Sequence, residues 1–128
     1  LLTHVKDVMR TGHAIPQVKP DTKLSSALLE ITQKGMAMTA IVDHDNTIVG
    51  VFTDGDLRRL MDKPLNFSEL IIADIMRKNP HRIGPEQLAV EAVEIMEQHR
   101  INQLLVADAE GKLVGALRIH DLTRAKVI

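Results

Sequence analysis

Apolar positions along the chain follow two periods. Leu24, Ala27, Leu28 and Ile31 recur at helical spacing, as do Ala89, Ala92, Val93 and Met96. Between and beyond them lie short runs of β type, residues 39–42 and 48–53, then 104–107 and 113–118. Residues 43–47 and 108–112, rich in Asp, Asn and Gly, predict the turns joining each pair of runs, because Asx side chains bond their own backbone there. Shorter elements are expected around these: leading strands at 15–18 and 81–83, short helices at 5–9 and 71–76, and closing helices at 54–61 and 119–126. Pro20-Asp21 and Pro85-Glu86 are expected to open the two longer helices, since proline suits a first turn and a carboxylate its dipole.

The order of elements repeats because the sequence does. An offset of 65 lays Pro20 on Pro85, Ala27 on Ala92, Gln33 on Gln98 and Asp43 on Asp108. It also pairs Val49 with Val114, Gly50 with Gly115, Asp56 with Asp121, Leu57 with Leu122 and Arg59 with Arg124. Upstream, the stretch from Val5 to Met9 answers that from Ile72 to Met76 at an offset of 67. The chain is a duplication of one β-α-β-β-α unit, with copies expected at 1–63 and 64–128 and a linker at 62–69 containing Pro64. About 60 residues bury too little surface for a robust core. The expected fold is therefore α/β (α+β), two repeats packed face to face with pseudo-twofold symmetry.

Composition narrows the function. At 45% apolar and 26% charged residues, with a formal net charge of −1, the chain is globular and offers no single-sign field for nucleic acid or anionic lipid. Phe52 and Phe67 are the only Phe, Tyr or Trp side chains, too few to stack bases, so no nucleic-acid partner is expected. No apolar run approaches a membrane span. Cysteine is absent, which removes disulfides and thiolate chemistry and fits a reducing, cytoplasmic setting. The sequence opens at Leu1 without Met or signal peptide and is read as a piece of a longer protein.

Several constellations invite chemistry and are better read as structure. The six histidines, His4, His13, His44, His81, His99 and His120, form no i, i+4 pair and no His-x-His, so no metal is expected. The turn from Asp43 begins like a calcium loop but has Ile48 where glycine is required. Asp54 and Asp56 lack a nearby nucleophile or base, so no catalytic residue is assigned. Met9 and Met76 are expected to plug the core.

The run Gly50-Val-Phe-Thr-Asp-Gly-Asp-Leu57 carries a resemblance. The tandem unit resembles a pair of CBS motifs, a Bateman module. Such a resemblance implies nucleotide binding in clefts between the motifs, with the Asp of Thr-x-x-Asp on ribose hydroxyls and the Thr near phosphate. Thr53 and Asp56 match; Asp121 matches in the second copy, where Arg118 replaces the Thr and stands with His120 as an anion ligand. Gly55 lets the backbone approach a ligand at the helix N-terminus. Ile15, Met38 and Ala40 are the expected apolar contacts to a base, Thr39 and Asp54 complete the set, and Arg77, Lys78 and Arg82 form a basic group able to reach a phosphate or carboxylate or simply to stay solvated. Thr53 and Asp56 also form a capping box, a role compatible with ligand contact. Asp121 persists without a Thr, which gives the carboxylate a purpose beyond pairing with that cap.

The stretches Gly35-Met-Ala-Met-Thr39, Val51-Phe-Thr-Asp-Gly-Asp-Leu-Arg-Arg59 and Asp7-Val-Met-Arg-Thr-Gly-His-Ala-Ile-Pro16 are similar to the C-terminal CBS pair of bacterial D-arabinose 5-phosphate isomerases. That likeness implies a sugar-isomerase (SIS) domain as partner in the same chain, a place in Kdo and lipopolysaccharide synthesis, no cofactor, and no isomerase chemistry in these residues. It also implies a homo-oligomer, a CBS dimer in a tetrameric parent. The expected effector is a nucleotide or nucleotide-sugar, with CMP-Kdo suggested by feedback logic and AMP or ATP as the family default. Two alternatives stay open: a purely structural, oligomerising module, and an adenine-nucleotide sensor attached to another enzyme or transporter.

Overall fold

The computed structural model describes residues 2–128. It contains six helices and six strands in the described residues, with α1 (Val5–Val8), β1 (Gln17–Val18), α2 (Leu24–Lys34), β2 (Met38–Val42), β3 (Ile48–Thr53) and α3 (Asp54–Met61) forming the first series. A second follows as α4 (Ile72–Ile75), β4 (Arg82–Ile83), α5 (Ala89–His99), β5 (Gln103–Ala107), β6 (Leu113–Arg118) and α6 (Ile119–Arg124). Each series makes one three-stranded sheet, β1-β2-β3 and β4-β5-β6, with the first pair parallel and the second antiparallel. Even the irregularities repeat: register shifts fall at Ile41/Val42 and Val106/Ala107.

The two longer helices start later than the prolines suggest. The residue capping α2 is Lys23 and that capping α5 is Leu88, both extended. Pro20 and Pro85 instead belong to turns closed by Thr22 N–H to the Lys19 carbonyl (3.1 Å) and Gln87 N–H to the Gly84 carbonyl (3.2 Å). The reason lies in what those turns hold. Ala73 N–H donates to the Pro20 carbonyl and Ile72 N–H to the Thr22 carbonyl, while Lys6 N–H donates to Pro85 and Val5 N–H to Gln87. The open amides of two very short helices, α4 and α1, are satisfied by the proline turns.

This pairing is crossed with respect to the repeats. The chain divides into two compact units, Pro16–Pro80 on one side and the segment ending at Ile15 joined to His81–Ile128 on the other. The expected copies, 1–63 and 64–128, run along the sequence; the compact units instead exchange their leading helices. Val5 is fully buried with Ile83, Ala92, Met96, Leu117 and Leu122, and Ile72 is its counterpart with Leu24, Ala27, Ile41 and Phe52. The methionine plugs complete the exchange. A Cβ added at Gly50 would collide with Met76 Sδ and lie 3.0 Å from the Arg77 carbonyl, and one at Gly115 would collide with Met9 Sδ and lie 3.1 Å from that of Arg10. Glycine is required at both places because another chain segment lies where a side chain would be.

Candidate functional site

Strand β3 runs out at Thr53, whose extended backbone caps α3. Its hydroxyl accepts from the Asp56 amide (3.2 Å), and Asp56 Oδ2 accepts from the Thr53 amide (3.0 Å). The capping box therefore forms as expected, but the carboxylate does more. Arg59, one turn along, donates to Oδ1, and Arg77 Nε lies 3.2 and 3.3 Å from the two oxygens. Arg77 is fixed there by an antiparallel bridge: Val51 and Arg77 exchange both backbone hydrogen bonds at 2.9 Å.

Asp56 is only 7% exposed, whereas Arg59 and Arg77 are 68% and 52% exposed. Burial opposes ionisation of Asp56. The Arg59 hydrogen bond, the Thr53 amide and the Arg77 charge outweigh it and hold the carboxyl below the usual carboxylate value. The result is an ionised acid under two half-free guanidinium groups at the N-terminus of an eight-residue helix.

The second copy keeps this plan with different parts. Asp121 Oδ2 accepts from the Arg118 amide (3.0 Å), and Arg10 binds the carboxylate with both prongs, Nε to Oδ2 and Nη2 to Oδ1, each at 3.1 Å. Arg10 is bridged to Ala116 as Arg77 is to Val51. This pair is the drier one, with side chains 24% and 10% exposed. Arg118 has no acceptor for the helix amide that the Thr53 hydroxyl satisfies. Beyond the helix cap, the carboxylate here binds an arginine from the exchanged segment.

The other expected residues scatter over this frame. Met38 and Ala40 are buried on β2 and alternate with Thr39, which is fully buried and donates its hydroxyl to the Ala40 carbonyl (3.1 Å). Thr39 shares its sheet face with Ile41 and, across the ladder, Phe52, which belong to the core under α2; it is not on the face of Met38 and Ala40. Asp54 opens α3 half-buried, its amide bonded to the Ala37 carbonyl (3.0 Å). Lys78 and His120 are exposed. Ile15 and Arg82 belong to the unit containing Asp121, whereas Arg77 and Lys78 belong to that containing Asp56. Arg82 borders an open depression of about 530 Å³ with Ile83, Pro85, Gln87 and Ala107, at the hairpin end of the strands and away from Asp121. No group of three or more metal-ligating side chains comes together among the described residues.

Arg10 is the partner of a candidate-site residue that sequence reasoning missed. Extending the matched stretches by one position pairs Arg10 with Arg77 at the same offset of 67, and that identity was the available signal.

The family model for the CBS domain matches residues 5–63 and 72–128. The chain belongs to the CBS domain family. Only residues 1–4 and 64–71 fall outside the two matches, so this CBS pair contains no separate catalytic domain within its 128 residues. All 128 residues align with the arabinose 5-phosphate isomerase KdsD of Pseudomonas aeruginosa at 44% identity and of Escherichia coli K12 at 46%. In both cases the CBS pair spans 39% of the relative's length. A crystal structure of CBSX2 in complex with AMP superposes with a TM-score of 0.83 at 26% identity, covering 98% of this chain and 96% of that one. Among the described residues, no helix is long and apolar enough to cross a membrane.

Proposed function

We propose that this CBS pair is the regulatory, nucleotide-binding part of a cytoplasmic arabinose 5-phosphate isomerase, acting on an SIS domain of the same chain within a homo-oligomer. The observation that carries this is the alignment of all 128 residues with the KdsD isomerases at 44–46% identity. The nucleotide reading draws support from the AMP complex of CBSX2. A ligand regulates only through different affinity for two states of its host, so the bound effector would shift the arrangement of the attached enzyme.

The ligand's anionic part would meet Arg59, Arg77 and the N-terminus of α3, and its ribose would meet Asp56. A carboxylate offers about four acceptor positions, and Asp56 spends three on Thr53, Arg59 and Arg77. A cis-diol needs two, so one arginine yields. Arg59, two-thirds exposed, yields more readily than the doubly bonded Arg10 does at Asp121. Binding is therefore expected first at Asp56. CMP-Kdo is the favoured effector on feedback grounds, with AMP or ATP next.

Titration calorimetry of the chain with CMP-Kdo, CMP, AMP and ATP tests this. Saturable binding that Asp56→Asn weakens more than Asp121→Asn supports the reading. A second reading is favoured by one observation: internal arginines already bind both carboxylates. In that case the pair is a structural module, and none of the four nucleotides binds.

A further inference from the structure

We infer that the Arg10–Asp121 ion pair is a latch, which a nucleotide engaging Asp121 must open, loosening the leading segment of the chain. The inference rests on the nucleotide reading above and adds its mechanical consequence. Residues 3–10 are held to the rest of the unit containing Asp121 by the buried Val5 side chain, by Val8 and Met9 packed on the same core, and by a short series of polar contacts. Ala89 N–H donates to the Thr3 carbonyl (2.8 Å), Val5 N–H to that of Gln87 (2.8 Å) and Lys6 N–H to that of Pro85 (3.0 Å), and Arg10 and Ala116 exchange backbone bonds at 2.9 and 3.2 Å. The Lys6–Glu86 pair is exposed and weakly anchoring. At the far end of the segment a charged side-chain anchor is largely removed from water, the two-pronged bond of Arg10 to Asp121.

Asp121 has spent three acceptor positions, two of them on Arg10. A ribose diol takes two, so it displaces at least one prong. Ligand binding at Asp121 and docking of residues 3–10 thus oppose each other, and linkage makes the opposition mutual: whatever frees the segment improves binding, and binding frees the segment. The same carboxylate serves as lock and binding group.

Hydrogen exchange and calorimetry on the chain, with AMP and CMP as probes, test the latch. Arg10→Gln is expected to speed exchange of the Val5, Lys6 and Arg10 amides about tenfold without ligand, as for loss of a charge-assisted bond. Amides of β2 are expected to stay unchanged. The same variant is expected to bind the nucleotide more tightly at the Asp121 site, and saturating nucleotide to speed exchange of those three amides in the unmodified chain. Saturating nucleotide with no binding that Asp121→Asn removes, Asp121-dependent binding with no change at residues 5–10, or weaker binding by Arg10→Gln, overturns the latch and leaves the nucleotide reading standing. Binding of neither probe to either chain overturns both.

Discussion

Replacing Arg10 by alanine isolates one interaction whose cost can be worked from its surroundings. The pair is two-pronged at 3.1 Å, with Arg10 24% and Asp121 10% exposed. Removing one partner of a fully buried pair costs about 3–5 kcal/mol, and exposed pairs contribute about 0.2–1 kcal/mol. This pair lies between, so about 2 kcal/mol is expected. With an unfolding entropy of about 2.1 cal/mol/K per residue, a chain of this length gains roughly 0.27 kcal/mol per kelvin, and Tm falls by about 7 °C. Arg77→Ala is the internal control. Arg77 is half exposed and Asp56 keeps Arg59, so the loss stays below about 1 kcal/mol. Scanning calorimetry of both variants decides the matter. Equal shifts, or a larger one for Arg77→Ala, would refute the argument that burial, and not merely the presence of a pair, sets the energy.

Three further outcomes are expected. Gly50→Ala and Gly115→Ala force a methyl group into Met76 and Met9 and against a backbone carbonyl; each is expected to cost about 1–3 kcal/mol by denaturant titration, relieved when the facing methionine is shortened to alanine. Ile72→Ala empties a fully buried position among Leu24, Ala27 and Phe52 and is expected to cost about 2–5 kcal/mol, read by urea unfolding. The depressed pKa of Asp56 means its ionised form stabilises the fold. That contribution is complete above the ordinary carboxylate range, and it disappears as pH falls through the lower folded value. The stability gap between the unmodified chain and Asp56→Asn should therefore be flat above about pH 5 and close below about pH 4.

The elements of each repeat were legible because their signals are local. Periodic Leu24-Ala27-Ile31 and the short apolar runs at 39–42 and 48–53 on either side of an Asx-rich turn leave few alternatives, and the duplication supplied each reading twice. The exchange of leading helices was not legible. Val5 and Val8 or Ile72 and Ile75 declare an apolar face, but nothing in a face says which near-identical copy it covers. The change of offset from 65 to 67 marked the joint without revealing the crossing. At the candidate site, Thr53 and Asp56 were legible through their cap. Thr39 could not be told apart from Met38 and Ala40 in the sequence, since a strand buried on both faces loses the alternation that distinguishes them. Arg10 went unseen because its partner lies 111 residues away.

The crossed helices also impose an order of assembly on a chain made from its N-terminus. Residues 16–80 contain everything their unit needs and are complete once Arg77 has emerged. Residues 3–10 must wait for Ala116 and Asp121, which at about 5–20 residues per second is roughly 5–20 s of synthesis. Throughout that interval Val5, Val8 and Met9 are apolar and unclaimed, and the only finished surface nearby accepts their near-copies Ile72, Ile75 and Met76. Until Ile72 arrives, that berth is open to the wrong helix. The nascent protein thus carries an early competitor for that berth in its own leading helix.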